Sequence, residues 1–151
     1  MSAQQPASAA RSSRCSLRPL SANVRPTGSM LFPRELEDSA FRSADGEYAW
    51  QRSEALAAVR VLTDKGCAVV GGELWLVRDG EMWGVLPQHT GPPAVYAWET
   101  ERRPNEAWSA YVARACVEAL SAIQALPGEA EVAAPPKAKV YYNLTWVGAD
   151  E

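Results

Sequence analysis

Apolar residues follow two kinds of pattern along this chain, strand-like and helix-like, and these patterns predict its secondary structure. In residues 66–99 they form short runs separated by glycine, proline and aspartate turn signals, as in strands. At residues 51–65 and 105–126 they recur every three or four positions, which is typical of amphipathic helices. Residues 139–147 alternate apolar and polar, as in a strand with one buried face. This order predicts an α+β fold: an antiparallel meander sheet of about five strands with two main helices packed on one face.

The clearest turn signal in the central region is Asp79-Gly80, which favours a type I′ hairpin between the strands that flank it. With a two-residue turn, Leu76 is expected opposite Trp83. The pair Gly71-Gly72 is interpreted as another turn, leading from a short strand at residues 67–70 into the hairpin. The region is therefore predicted to be a series of short antiparallel strands.

The hairpin places Glu73 and Trp75 on the sheet face that points away from the helices. A tryptophan beside an acid on such a face is a candidate binding surface, because interface hot spots are rich in tryptophan. The alternative is that residues 30–50, which could form a short helix or an extended arm, cover this face.

Helix boundaries are expected from three end signals. Ser53 is a candidate N-cap of the first long helix, and Gly66 stands at its C′ position. Asn105 is the corresponding N-cap candidate of the second long helix.

Charge is distributed unevenly between the two ends of the chain. Residues 1–29 contain four arginines and no acid, so the remaining 11 basic and 18 acidic residues have a net charge of −7. We predict a disordered tail or a mis-annotated extension at residues 1–29, with a transit peptide as a further alternative. Residues 30–151 are predicted to form one domain. An acidic domain is a poor nucleic-acid binder and a plausible partner for a basic protein.

Candidate chemistry is sparse. Cys15, Cys67 and Cys116 are widely spaced, and His89 is the only histidine. This pattern argues against a zinc site or a disulfide framework and favours a reducing cytoplasm. The sequence has no nucleophile motif or phosphate-binding loop, and no apolar run approaches the roughly 20 residues of a membrane span. We therefore predict no catalytic residue, no metal site and no cofactor.

A family resemblance adds to this picture. The pair Gly71-Gly72 stands in VVGGELW, and the aromatic tract VYAWE contains Tyr96 and Trp98. A long helix then begins in NEAWSAYVARACVEAL, which contains Trp108 and Tyr111. In this order the motifs resemble the bacterial immunity-protein-forty family, small α+β antidotes encoded beside the toxins of polymorphic toxin systems. The resemblance implies structural roles for the glycine pair and for the two aromatic residues of the helix.

The resemblance also implies a function. It indicates a cytoplasmic protein without enzymatic activity, monomeric when free, that binds and neutralises a cognate toxin domain, often a nuclease. The toxin-facing residues are predicted to be acids and aromatics: Glu73, Trp75, Tyr96, Trp98, Glu99 and Glu101. One alternative is a small-molecule-binding or enzymatic α+β domain with a pocket near Trp98 and His89, and another is an accessory module with a different partner.

Overall fold

A computed structural model of the protein describes residues 31–85, 96–132, 134 and 136–150, with the backbone alone for residues 83–85. The predictions for residues 1–29 and for His89 lie outside these residues. The elements, in chain order, are α1 (Arg34–Ser39), β1 (Phe41–Arg42), β2 (Tyr48–Trp50), α2 (Arg52–Asp64), β3 (Ala68–Arg78), β4 (Glu81–Val85), β5 (Ala97–Glu99), α3 (Trp108–Ala125) and β6 (Lys139–Val147). In the described residues, none of these helices has the length and apolar character to cross a membrane.

All strand pairs are antiparallel, which confirms the predicted α+β class. The strand order is β1-β2-β6-β3-β4, and β5 also pairs with β3, along the same edge as β4. The predicted meander is wrong, because the last strand of the chain lies in the middle of the sheet. Its inward residues Val140, Tyr142 and Leu144 are each only 2% exposed, and a central position lets β6 bury them while pairing on both sides.

The long strand β3 corrects two predictions about the central region. Gly71-Gly72 is not a turn, since β3 runs through it without interruption and pairs there with both β5 and β6. The type I′ turn is confirmed by the positive φ of Asp79 (55°) and Gly80 (79°). The register beyond it is shifted, however, because an irregularity places Leu76 opposite Gly84 rather than Trp83.

Of the three residues predicted to mark helix ends, one has the predicted role and two do not. Gly66 has φ +80° directly after the last turn of α2, as a C′ glycine should. Ser53 does not cap α2: its hydroxyl donates to the Glu54 carboxylate (3.0 Å), and the N-cap position belongs to Gln51. Asn105 does not cap α3 either, because it adopts a left-handed turn (φ +64°) and the helix begins only after Ala107.

The main core lies between the inner face of the sheet and the helices α2 and α3. Trp50, Leu62, Leu74 and Ile123 are completely buried in it. A second cluster joins Ala68 to the first half of α3. The arm that precedes α2 contributes in two ways: Phe32 and Leu36 enter the core, and the Phe41 ring contacts Trp75 at 5.9 Å. The alternative that this arm covers part of the outer face therefore holds at Trp75.

Candidate acidic surface around strand β5

Strand β5 separates its side chains onto the two faces of the sheet. It pairs with β3 through Gly71–Glu99, Gly72–Trp98 and Glu73–Ala97. Directly opposed residues share a face and neighbours along a strand alternate. Glu73 and Glu99 therefore lie on the outer face, and Trp98 lies on the inner face against the core.

The six residues predicted to face a partner consequently fall into three groups. Glu99 and Glu101 are exposed, and Glu73 is half-buried; we call these three carboxylates the acidic surface. Tyr96 and Trp98 are half-buried and pack against the main core. Trp75 is on the outer face but only 2% exposed, and its indole N–H donates to the Glu73 carboxylate at 2.9 Å. Glu73 and Glu99 thus share the outer face of the sheet, Glu101 follows two residues after Glu99, and Tyr96 and Trp98 pack against the core.

The neighbouring strand β6 adds polar residues to this face that the sequence analysis did not assign to it. Tyr141, Asn143 and Thr145 stand opposite Trp75, Glu73 and Gly71 of β3. The Asn143 amide is buried and donates to the Tyr48 carbonyl at 3.0 Å. The alternation of β6 predicts that these three residues point outward, but only the pairing of β6 with β3 places them beside the acids.

The glycine pair allows three backbones to approach closely under this surface. A Cβ on Gly71 would lie 2.6 Å from the Trp98 carbonyl oxygen. A Cβ on Gly72 would collide with the carbonyl oxygen of Asn143 and with the indole ring of Trp98, whose Cζ3 would be 2.7 Å away. Real Cβ contacts do not occur at such distances, so β5 keeps its position because both residues are glycines.

Trp98 carries the one buried side-chain polar atom without a hydrogen-bond partner among the described residues, its indole Nε1. By comparison, the indole of the fully buried Trp50 donates to the Leu36 carbonyl at 2.8 Å. An unpaired buried donor is unfavourable. Apolar contacts therefore hold the Trp98 ring, which occupies the space left by the missing side chain of Gly72, and no hydrogen bond contributes.

The segment after β5 is anchored to α3 through Thr100, which is only 2% exposed. Its carbonyl accepts a hydrogen bond from the Tyr111 hydroxyl (2.7 Å), and its own hydroxyl donates to Glu118 (2.7 Å). Burial raises the pKa of Tyr111 to about 12, so this hydroxyl remains a donor at neutral pH. Trp108 anchors the start of the helix by donating to the Gly66 carbonyl at 2.9 Å.

A second anchor of this segment, which the sequence analysis did not identify, is an ion pair between Glu106 and Arg114. The guanidinium donates to both carboxylate oxygens, at 2.9 and 2.7 Å, and the side chains are only 10% and 19% exposed. These hydrogen bonds, with one from the Arg103 backbone, lower the pKa of Glu106 to about 2. Because α3 begins only after Ala107, Glu106 lies in the loop and not in the first turn of the helix.

Among the cavities of the described residues are two that Trp98 does not line. One, of about 410 Å³, lies between the start of α2 and β6, where Arg52 donates to the Tyr142 hydroxyl at 2.8 Å. Within the described part of the chain no cluster of three or more His, Cys, Asp or Glu residues could hold a metal ion. The expected pocket near Trp98 and His89 lies partly outside the described residues.

Comparison with protein-family models gives a match to the family described as Immunity protein 40, over residues 35–145. The matched range begins in α1 and ends within β6. It therefore contains the acidic surface, the glycine pair and both anchors of the segment that follows β5. No curated protein and no solved structure matches the chain.

Proposed function

The chain belongs to the immunity protein 40 family and is thus an immunity protein of a toxin–immunity system; we propose that it neutralises one cognate toxin domain by binding it through the acidic surface around β5. The observation that carries this proposal is that Glu99, at the end of β5, and Glu101, in the loop that follows, are both exposed. Neither forms an ion pair with a cation of the described residues. Their charge is thus free for a partner.

The proposed partner is a basic toxin domain, such as a nuclease. A net charge of −7 outside residues 1–29 repels nucleic acid and attracts a basic protein. Nucleases that bind a phosphate backbone need basic surfaces, and an acidic protein that covers such a surface competes with the substrate. We place this inhibition in the cytoplasm, with the free protein as a monomer and without an enzymatic step.

The aromatic residues have a supporting role in this proposal. Trp75 orients the Glu73 carboxylate through its indole N–H and offers almost no accessible surface of its own. Tyr96 and Trp98 are half-buried and hold β5 against the core, on the side of the strand away from Glu99. Binding energy would then come from charge-assisted hydrogen bonds to the acids, which the packed aromatic residues keep in a fixed position.

The test is co-expression with the toxin encoded beside the gene, followed by purification of the complex and a growth assay. The double variant Glu99→Lys/Glu101→Lys should weaken the affinity on the order of 100-fold and abolish protection. The matched control is Glu35→Lys/Asp38→Lys, which makes the same charge change at two exposed positions of α1. Equal affinity losses in the two variants would mean that net charge alone matters, and no loss in the first would refute the proposed surface.

A further inference from the structure

The loop that follows β5, residues 101–107, is exposed and yet held in one conformation. Residues 101–105 are exposed, so burial of apolar side chains does not hold the loop there. Its backbone is fixed by polar contacts instead. The Glu106 N–H donates to the Arg103 carbonyl at 3.0 Å, and the Arg103 N–H donates to the Glu106 carboxylate at 2.9 Å. The Arg102 guanidinium donates to the Glu106 carbonyl at 3.0 Å.

These contacts converge on Arg114 of α3. Its guanidinium binds both oxygens of Glu106, reaches Glu118 at 3.3 Å, and donates through Nη2 to the backbone carbonyl of Glu101 at 2.8 Å. The planar fork of arginine satisfies these acceptors at once, which the single ammonium of lysine cannot do. One side chain thus links the helix to both ends of the loop.

Arg114 binds the backbone carbonyl of Glu101, and the Glu101 carboxylate forms no ion pair with a described residue. The charge of Arg114 is satisfied by Glu106 and Glu118, so it does not neutralise the acidic surface. Glu101 and Arg103 therefore present opposite charges two positions apart on a fixed backbone. A partner can match such a pattern only if the loop keeps its shape.

We propose that Arg114 is a positioning residue for toxin binding: its contacts with Glu106 and with the Glu101 carbonyl hold residues 101–106 in the conformation that the toxin recognises. This inference rests on the proposed function. Without the contacts, the loop would have to be ordered upon binding, and that ordering would weaken the affinity. Because Arg114 contacts no toxin in this scheme, its effect is on the shape of the loop and not on the charge that the toxin meets.

The test is Arg114→Lys, which keeps the net charge but removes the fork. In the free protein, hydrogen exchange of the Arg103 and Glu106 amides, which are hydrogen-bonded within the loop, should accelerate. In the complex with the neighbouring toxin, the affinity should fall roughly tenfold, with an unchanged slope of affinity against salt concentration. Glu101→Gln should instead reduce that slope, because it removes a charge that faces the toxin. Arg60→Lys, the same change at an exposed position of α2, should alter neither the hydrogen exchange of the loop nor the affinity for the toxin.

The outcomes separate this inference from the proposed function. A wild-type protein that does not bind the toxin refutes both. A wild-type protein that binds, with Arg114→Lys binding equally well, refutes the positioning role alone, as does unchanged exchange in the loop. If Arg114→Lys fails to fold, as thermal unfolding would reveal, Glu106→Gln replaces it: the amide weakens the same contacts and should give the same loss of affinity. A lowered melting temperature without a change in affinity would mean that the ion pair only stabilises the fold.

Discussion

Replacing Gly72 by alanine should destabilise the protein strongly, because the new methyl group would enter occupied space. It would collide with the Asn143 carbonyl oxygen, which belongs to the ladder between β3 and β6, and with the indole ring of Trp98. The carbonyl cannot move without stretching ladder hydrogen bonds, each worth about 1 kcal/mol. Overpacking adds about 1–3 kcal/mol. We expect the free energy of unfolding to fall by about 3–5 kcal/mol, and the melting temperature by about 10–20 °C.

Urea and thermal unfolding of the purified variant measure this loss. Gly128→Ala is the matched control: its new Cβ would meet only the ends of two flexible side chains, the Glu131 carboxylate at 3.4 Å and the Arg52 guanidinium at 3.9 Å. The change should stay within about 0.5 kcal/mol. Combining Gly72→Ala with Trp98→Ala should cost less than the two separate losses together, since the ring is then absent. A loss below about 1 kcal/mol for Gly72→Ala alone would refute the steric argument.

Two further predictions concern the ion pair and the unpaired indole. Because Arg114 lowers the pKa of Glu106 from 4.5 to about 2, the stability that Glu106 contributes is present above pH 4.5 and is lost as the pH falls towards 2. The difference in unfolding free energy between wild type and Glu106→Gln should therefore shrink over that interval in urea titrations, and a constant difference would contradict the pKa shift. Trp98→Phe removes a donor without a partner, so it should cost less stability than Trp50→Phe, which leaves a buried carbonyl short of a donor. Equal losses in thermal unfolding would argue against this reasoning.

The pattern of apolar and turn residues predicted the elements of this fold correctly where residues close together in the sequence decide the structure. The 3–4 spacing of apolar residues identified α2 and α3, and the alternation of residues 139–147 identified β6 and its inward side chains. Asp79-Gly80 predicted the hairpin turn because few dipeptides adopt positive φ at both positions. Each of these signals lies within a short stretch of sequence.

The errors arose where distant residues decide the structure. A glycine pair between two apolar runs suggests a turn, and only the arrival of Trp98 and β6 explains why those glycines continue a strand. Asn105 has a good N-cap side chain, but Glu106 is held outside the helix by Arg114. The sequence predicted Glu73, Glu99 and Glu101 as candidates, but only the pairing of β5 with β3 shows that Trp98 lies on the opposite face from Glu73 and Glu99.

Strand β5 and the loop that follows it are held in place by different kinds of interaction, and this difference determines how the acidic surface responds to salt and acid. Strand β5 is held by apolar packing of Trp98 over Gly72, which salt does not weaken and which acid leaves intact. The loop that carries Glu101 is held by the ion pair of Glu106 and Arg114, which is largely shielded from solvent and therefore poorly screened. Glu99 and Glu101 remain exposed, so their attraction for a basic partner is the part of the system most sensitive to salt. High salt should thus slow association with the toxin while the binding surface keeps its shape. Substitutions of the exposed acids should therefore change the electrostatic attraction, and substitutions of the residues that hold β5 and the loop should change the shape of the surface.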